Sequence, residues 1–221
     1  MHATADAGEK ARMGDAFPRL ERTASSGQLV TIPDSAGDFV HLQFRRFAGC
    51  PICNLHLRSV VRRYGEIRAA GIREVVVFHS TVAELAKYEN ELPFPLIADP
   101  ERQLYQRFGV EHGSVSLLSV RALRAAVAGQ SAALAGRSTM RARGPIKPTG
   151  GAFGLPADFL IAPEGRLAAV KHGKNAYDQW TVDELLEHAQ LVPACRALVV
   201  SALGLSDGRA SGVLERMNKR D

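Results

Sequence analysis

Cys50-Pro51-Ile52-Cys53 sets two of the chain's three cysteines three positions apart. That spacing serves a reversible disulfide, half of a zinc site, or two small core residues. Haem attachment would need histidine directly after the second cysteine, where Asn54 stands. Zinc would need two more ligands; His56 follows closely, but His79, His112, His172 and Cys195 are scattered singly and there is no second CxxC. The redox pair is therefore the favoured reading, with metal binding and inert packing as its rivals. A thiol attacks only as thiolate, and a free cysteine titrates near ~8.5. The first turn of a helix has unpaired N–H groups and a partial positive charge, which favour thiolate at Cys50. Arg45 and Arg46 add positive charge nearby, and Pro51 suits a first helical turn. Cys50 is expected to be the nucleophile and the more exposed sulfur. Cys53, one turn on and more buried, is expected to resolve the adduct by closing a Cys50–Cys53 disulfide.

Elements must hold that pair in place. Phe39 to Phe47 reads as a strand that ends at the cysteines. Beyond Cys53, Leu57, Val60, Val61, Tyr64 and Ile67 step by three and four, with arginines between them, which predicts an amphipathic helix ended by Gly71. Glu74 to His79 is a continuous apolar run of the buried parallel type. Thr81 with Glu84 forms a capping box for a helix to about Asn90. A short strand, Phe94 to Ala98, precedes a helix opened by Asp99-Pro100. Val115 to Leu134 is alanine-rich and helical in pattern. Residues 137–154 form a basic loop bearing Gly and Pro. Ala157 to Ala162 and Leu167 to His172 pair across Pro163-Glu164-Gly165, and Thr181 to Leu191 is a helix with its own capping box. Gln28 to Ile32 is a short strand near the start. Alternating strands and helices predict an α/β fold with a central mixed sheet flanked by helices. A crossover then puts the cysteines at a strand's carboxyl end and a helix's amino end.

Hydrophobic residues are 46% and charged residues 23% of 221, the balance of a soluble domain with a sizeable core. No apolar run approaches the roughly 18 residues of a membrane helix, and the first ten residues are unlike a secretory signal. A cytoplasmic home, where close cysteines are redox-active or metal-binding, is expected. The net charge of +5 is spread, without interleaved aromatics, so neither nucleic acid nor membrane is an expected partner.

Gly14-Asp15-x-Phe17-Pro18, Gly49-Cys50-Pro51-x-Cys53, Phe94-Pro95-Leu96-Ile97-Ala98-Asp99-Pro100 with Tyr105 and Phe108-Gly109-Val110, and the segment Leu155 to Leu167 together resemble the peroxiredoxins. The resemblance spans residues 14–191 and points to the peroxiredoxin-like branch of the alkyl hydroperoxide reductase/thiol-specific antioxidant superfamily. It implies a thioredoxin-like fold over 14–191, between a disordered 1–13 and a C-terminal helical extension at 192–221. It also implies that Pro156 is a cis-proline facing the cysteines. The implied activity is peroxide reduction through Cys50 and Cys53, without cofactor or metal, re-reduced by a cellular dithiol of thioredoxin or glutathione type. A homodimer is compatible with it. Where the family places proline and threonine, seven and three residues before the reactive cysteine, this chain has Gln43 and Phe47. The family's arginine ahead of the closing strand is missing from Phe153-Gly154-Leu155, so Arg141 or Arg143 is the substitute to consider. A slow peroxidase with comparably strong thiol-disulfide exchange follows as the expectation. Two alternatives stand beside it: a thioredoxin-like protein disulfide reductase, and a non-catalytic thioredoxin-fold binding module. His56 reads as a helix-surface residue, Trp180 as packing, and Cys195 as a buried apolar residue rather than a resolving thiol.

Overall fold

The computed structural model describes residues 10–110, 149, 151 and 153–191. The expected helix at 115–134, most of the basic loop including Arg141 and Arg143, the extension at 192–221 with Cys195, and residues 1–9 lie outside the described residues.

β3 (Phe39–Arg45) is the middle strand of a five-stranded sheet ordered β5-β4-β3-β6-β7. β4 (Ile72–Phe78) and β5 (Leu96–Ala98) run parallel to it on one side. β6 (Ala157–Ile161) and β7 (Leu167–His172) complete the sheet antiparallel on the other. The mixed sheet expected from the element order is thus present, with the late hairpin as one edge. Gln28 to Ile32 pairs as β2 (Leu29–Ile32) with a strand the sequence pattern did not single out, β1 (Leu20–Thr23). The bond Ile32–Pro33 is cis.

Alternation along β3 separates two layers. Val40, Leu42 and Phe44 join Val75, Val77, Phe159 and Ile161 in one core, closed by β1–β2 and α4 (Gln103–Arg107). Val76, Phe78 and Leu160 face the other way, against α1 (Pro51–Arg62), α2 (Tyr64–Ala69), α3 (Val82–Leu85) and α5 (182–191). The single helix expected to end at Gly71 is broken at Arg63, whose φ of −110° and ψ of 17° leave the helical region. Both capping boxes form, at Thr81/Glu84 and at Thr181/Glu184. α3 is shorter than expected, passing into a 3₁₀ turn at Ala86–Tyr88. α4 starts later than Pro100 because the Asp99 carboxylate accepts from the N–H groups of Gln103 and Leu104, at 3.0 and 2.8 Å. Among the described residues, no helix is long and apolar enough to cross a membrane.

Candidate active site

β3 delivers the chain to the cysteines as the spacing predicted. After Arg45, four residues turn, and Cys50 is the N-cap of α1 with Pro51 in the first turn. The Cys50 carbonyl accepts from Asn54 N–H at 2.9 Å, and its own N–H donates to the Phe47 carbonyl at 3.1 Å. The turn is held from the neighbouring strand: Ala48 N–H donates to Ser80 Oγ at 3.0 Å, and His79 N–H to the Arg46 carbonyl at 3.3 Å. Both cysteines are reduced.

One expectation needs correcting. Cys50 is not the more exposed sulfur: both cysteines are 1% accessible. Ile52 and Ala176 pack with them, and half-buried Phe47 and Leu55 close the cluster. Ala176 belongs to the 173–180 segment, so the cover over the helix N-terminus comes from sequence far away.

Burial raises the Cys50 thiol. The Cys53 thiol donating to it, the Arg46 charge, and the backbone N–H groups of Cys53 and Ile52 outweigh that and bring it down to about 6. Cys53 moves well above its ordinary value, first because its proton is held by the Cys50 sulfur, then through burial. These shifts favour a thiolate at Cys50 beside a Cys53 that keeps its proton. The Arg46 guanidinium lies 5.6 Å from the centre of the Phe47 ring, which helps hold that charge at the site.

Arg45, the last residue of β3, is engaged in a different set of contacts. It is fully buried and ion-pairs with Asp158, while its Nη2 also donates to Gln43 at 2.7 Å and to His56 Nε2 at 3.1 Å. His41 bridges Glu74 at 2.9 Å and Asp158 at 3.1 Å. Burial alone would lower His41, but Glu74 and Asp158 together raise it to about 9. His56 is therefore not a surface residue. It is 8% exposed on the buried stripe of α1, and burial with the Arg45 charge keeps it neutral, well below 6.5.

Pro156 also departs from expectation. The only cis bond among the described residues is Ile32–Pro33, so Leu155–Pro156 is trans. Pro156 immediately precedes β6, and its carbonyl accepts from Gly173 N–H at 2.8 Å, prolonging the β6–β7 pairing by a step.

Two residues that sequence reasoning passed over sit here. His79 follows β4 directly and is 1% exposed. Its ring lies 6.4 Å from that of Phe47 and 5.7 Å from that of Tyr105. Neither ring nitrogen has a hydrogen-bond partner among the described residues. Burial first and the Arg102 charge second bring His79 down to about 4, so it is neutral. Arg102 has a left-handed backbone (φ 59°), uncommon for a side-chain-bearing residue. Its Nη2 donates to the Phe153 carbonyl at 2.8 Å, tying the turn before α4 to the segment before β6. A lone histidine at a strand end carries no periodic signal, and no local pattern marks a left-handed arginine. Among the described residues, no group of three His, Cys, Asp or Glu could hold a metal ion.

A close cysteine pair at the N-terminus of the helix that follows the central strand of a mixed α/β sheet is a thioredoxin-like arrangement. Residues 13–170 match the model of the AhpC/TSA family, and the chain belongs to that family. A protein of Aeropyrum pernix described as a peroxiredoxin is 27% identical over 120 residues, which cover 49% of this chain and 48% of that one. The chain thus matches about half the length of that curated relative. Among solved structures, peroxidoxin BcpB from Mycobacterium tuberculosis aligns with a TM-score of 0.57 at 16% identity, over 82% of this chain and 98% of that one. A mutant of peroxiredoxin 6 from Arenicola marina aligns at 0.59 and 16%, over 82% and 73%. A putative thiol:disulfide interchange protein DsbE from Chlorobium tepidum gives 0.52 and 19%, over 83% and 98%.

Proposed function

We propose that this chain is a thiol-dependent peroxidase acting through Cys50 and Cys53. The Cys50 thiolate attacks the terminal oxygen of a peroxide; the S–O bond forms as the O–O bond breaks. The departing oxygen takes up a proton and leaves as water or alcohol. Cys53 then attacks the Cys50 sulfenic sulfur, water leaves, and a disulfide remains for a cellular dithiol of thioredoxin or glutathione type to reduce. The observation that carries this reading is the split within one buried pair: an acidified Cys50 beside a Cys53 that retains its proton. Burial of both sulfurs favours a substrate as small as a peroxide over a folded protein disulfide. A cytoplasmic setting, a homodimer, and a domain over 14–191 with a helical extension at 192–221 belong to the same reading.

The rival is a thioredoxin-like disulfide reductase, favoured by the CxxC itself and by Phe47, which has no hydroxyl to offer a peroxide. Stopped-flow measurement of thiolate loss against hydrogen peroxide and a small organic hydroperoxide, beside insulin reduction, decides between them. Peroxide reduction that disappears in Cys50→Ser is the expected result. An inert response to both peroxides, with ready insulin reduction, gives the function to the rival.

A further inference from the structure

Among the described residues, His79 stands out near this site because neither of its buried ring nitrogens has a hydrogen-bond partner. Buried nitrogens lacking partners are uncommon in folded proteins and call for an explanation, and here both nitrogens of one ring lack them among the described residues. The surroundings identify what is missing. Phe47-Ala48-Gly49, the turn that covers the Cys50 sulfur, has no side-chain donor or acceptor. His79 packs against Phe47 on one side and Tyr105 on another, and its N–H grips the carbonyl of Arg46, whose charge acts on the Cys50 thiolate. Tyr105 in turn lies within electrostatic reach of Cys53. A Cβ at residue 154 would lie 3.5 Å from His79 Nε2, so Gly154 keeps side-chain bulk off that edge of the buried ring. The His79 ring therefore borders the turn that leads into Cys50, next to a glycine and against two aromatic rings.

We propose that His79 is a catalytic residue that hydrogen-bonds the peroxide during attack by Cys50, donating from Nε2 to the departing oxygen. The inference rests on the peroxidase reading and deepens it. As the S–O bond forms, the electron pair of the O–O bond goes to the departing oxygen, sulfur is oxidised and that oxygen reduced. The imidazole stabilises the charge building there, and solvent supplies the proton that releases water or alcohol. A neutral imidazole is suited to this, since it offers one N–H without placing a second cation beside Arg46 and Arg102. Preorganised donors of this kind are worth roughly 10²–10³ in rate.

The experiment compares two electrophiles at Cys50. Hydrogen peroxide has an oxygen leaving group that needs the donor; iodoacetamide reads only the thiolate and its accessibility. In His79→Phe the peroxide rate constant should fall about 10²-fold, while the iodoacetamide rate stays within about threefold of wild type. His79→Gln, which keeps an N–H near the Nε2 position, should recover more of the peroxide rate than His79→Asn, and this comparison serves if the Phe variant does not fold. An unchanged peroxide rate in His79→Phe, a parallel fall with both electrophiles, or Asn equal to or better than Gln overturns the assignment of His79 and leaves the peroxidase reading standing. A wild-type protein that reacts with iodoacetamide but with no peroxide overturns both.

Discussion

At the scale of single residues, the chemistry turns on how one proton is shared by two sulfurs. Cys50 ionises because Cys53 donates to it and Arg46 lies beside it, against a burial cost that alone would keep it protonated. Removing either support should move it upward. In Cys53→Ala the midpoint of Cys50 alkylation against pH should rise from about 6 by roughly one to two units, since hydrogen bonds to charged groups are worth about 1.5–3 kcal/mol. Arg46→Met should shift it in the same direction. A midpoint that stays put in both variants would show that the helix N-terminus alone acidifies Cys50. Phe47 matters through contact: it covers the sulfur cluster, faces Arg46, and borders His79.

At the scale of elements, the side of β3 that faces α1 presents polar residues to the interior. His41, Gln43 and Arg45 meet Glu74 from β4, Asp158 from β6 and His56 from α1, joining three strands to the helix that carries the cysteines. A buried group of this kind is costly to break, because removing one charge strands its partners. Replacing His41 by Leu should cost about 3–5 kcal/mol in denaturant unfolding followed by the fluorescence of buried Trp180, the chain's one tryptophan. His41 titrates near 6.5 when unfolded and at about 9 when folded. A raised folded value means the linked stability is fully present below about 6.5 and is lost as pH rises through about 9. The difference between wild type and His41→Gln should therefore narrow across that interval. A difference independent of pH would mean that His41 is neutral in the folded protein.

At the scale of the molecule, the redox centre is assembled from segments distant in sequence: the β3–α1 turn, the end of β4, the start of α4, and the 153–156 and 173–180 segments. Both sulfurs of the proposed disulfide lie within this assembly. One equivalent of peroxide should therefore yield a single Cys50–Cys53 disulfide, two mass units lighter than reduced protein. Cys195 should stay alkylatable, and Cys195→Ser should keep the full rate of peroxide turnover. A Cys50–Cys195 linkage in non-reducing peptide maps would transfer the resolving role to the C-terminal segment.

Local chemistry by itself determined the CxxC at a helix N-terminus, both capping boxes and the β6–β7 hairpin, because each depends on residues within one or two turns of each other. Tertiary structure decided the rest. Val40, His41, Leu42, Gln43, Phe44 and Arg45 alternate in a way that suits a half-solvated strand, yet β3 is central and its polar side is buried, since Glu74 and Asp158 arrive from neighbouring strands to pair with it. The same pairing engages Arg45 with Asp158 and His56 in the core. Burial of Cys50 under Ala176 joins residues more than a hundred positions apart, and the approach of His79 to Gly154 joins residues 75 positions apart. Contacts at that separation leave no trace in the spacing of residues, because only the folded sheet brings their strands side by side.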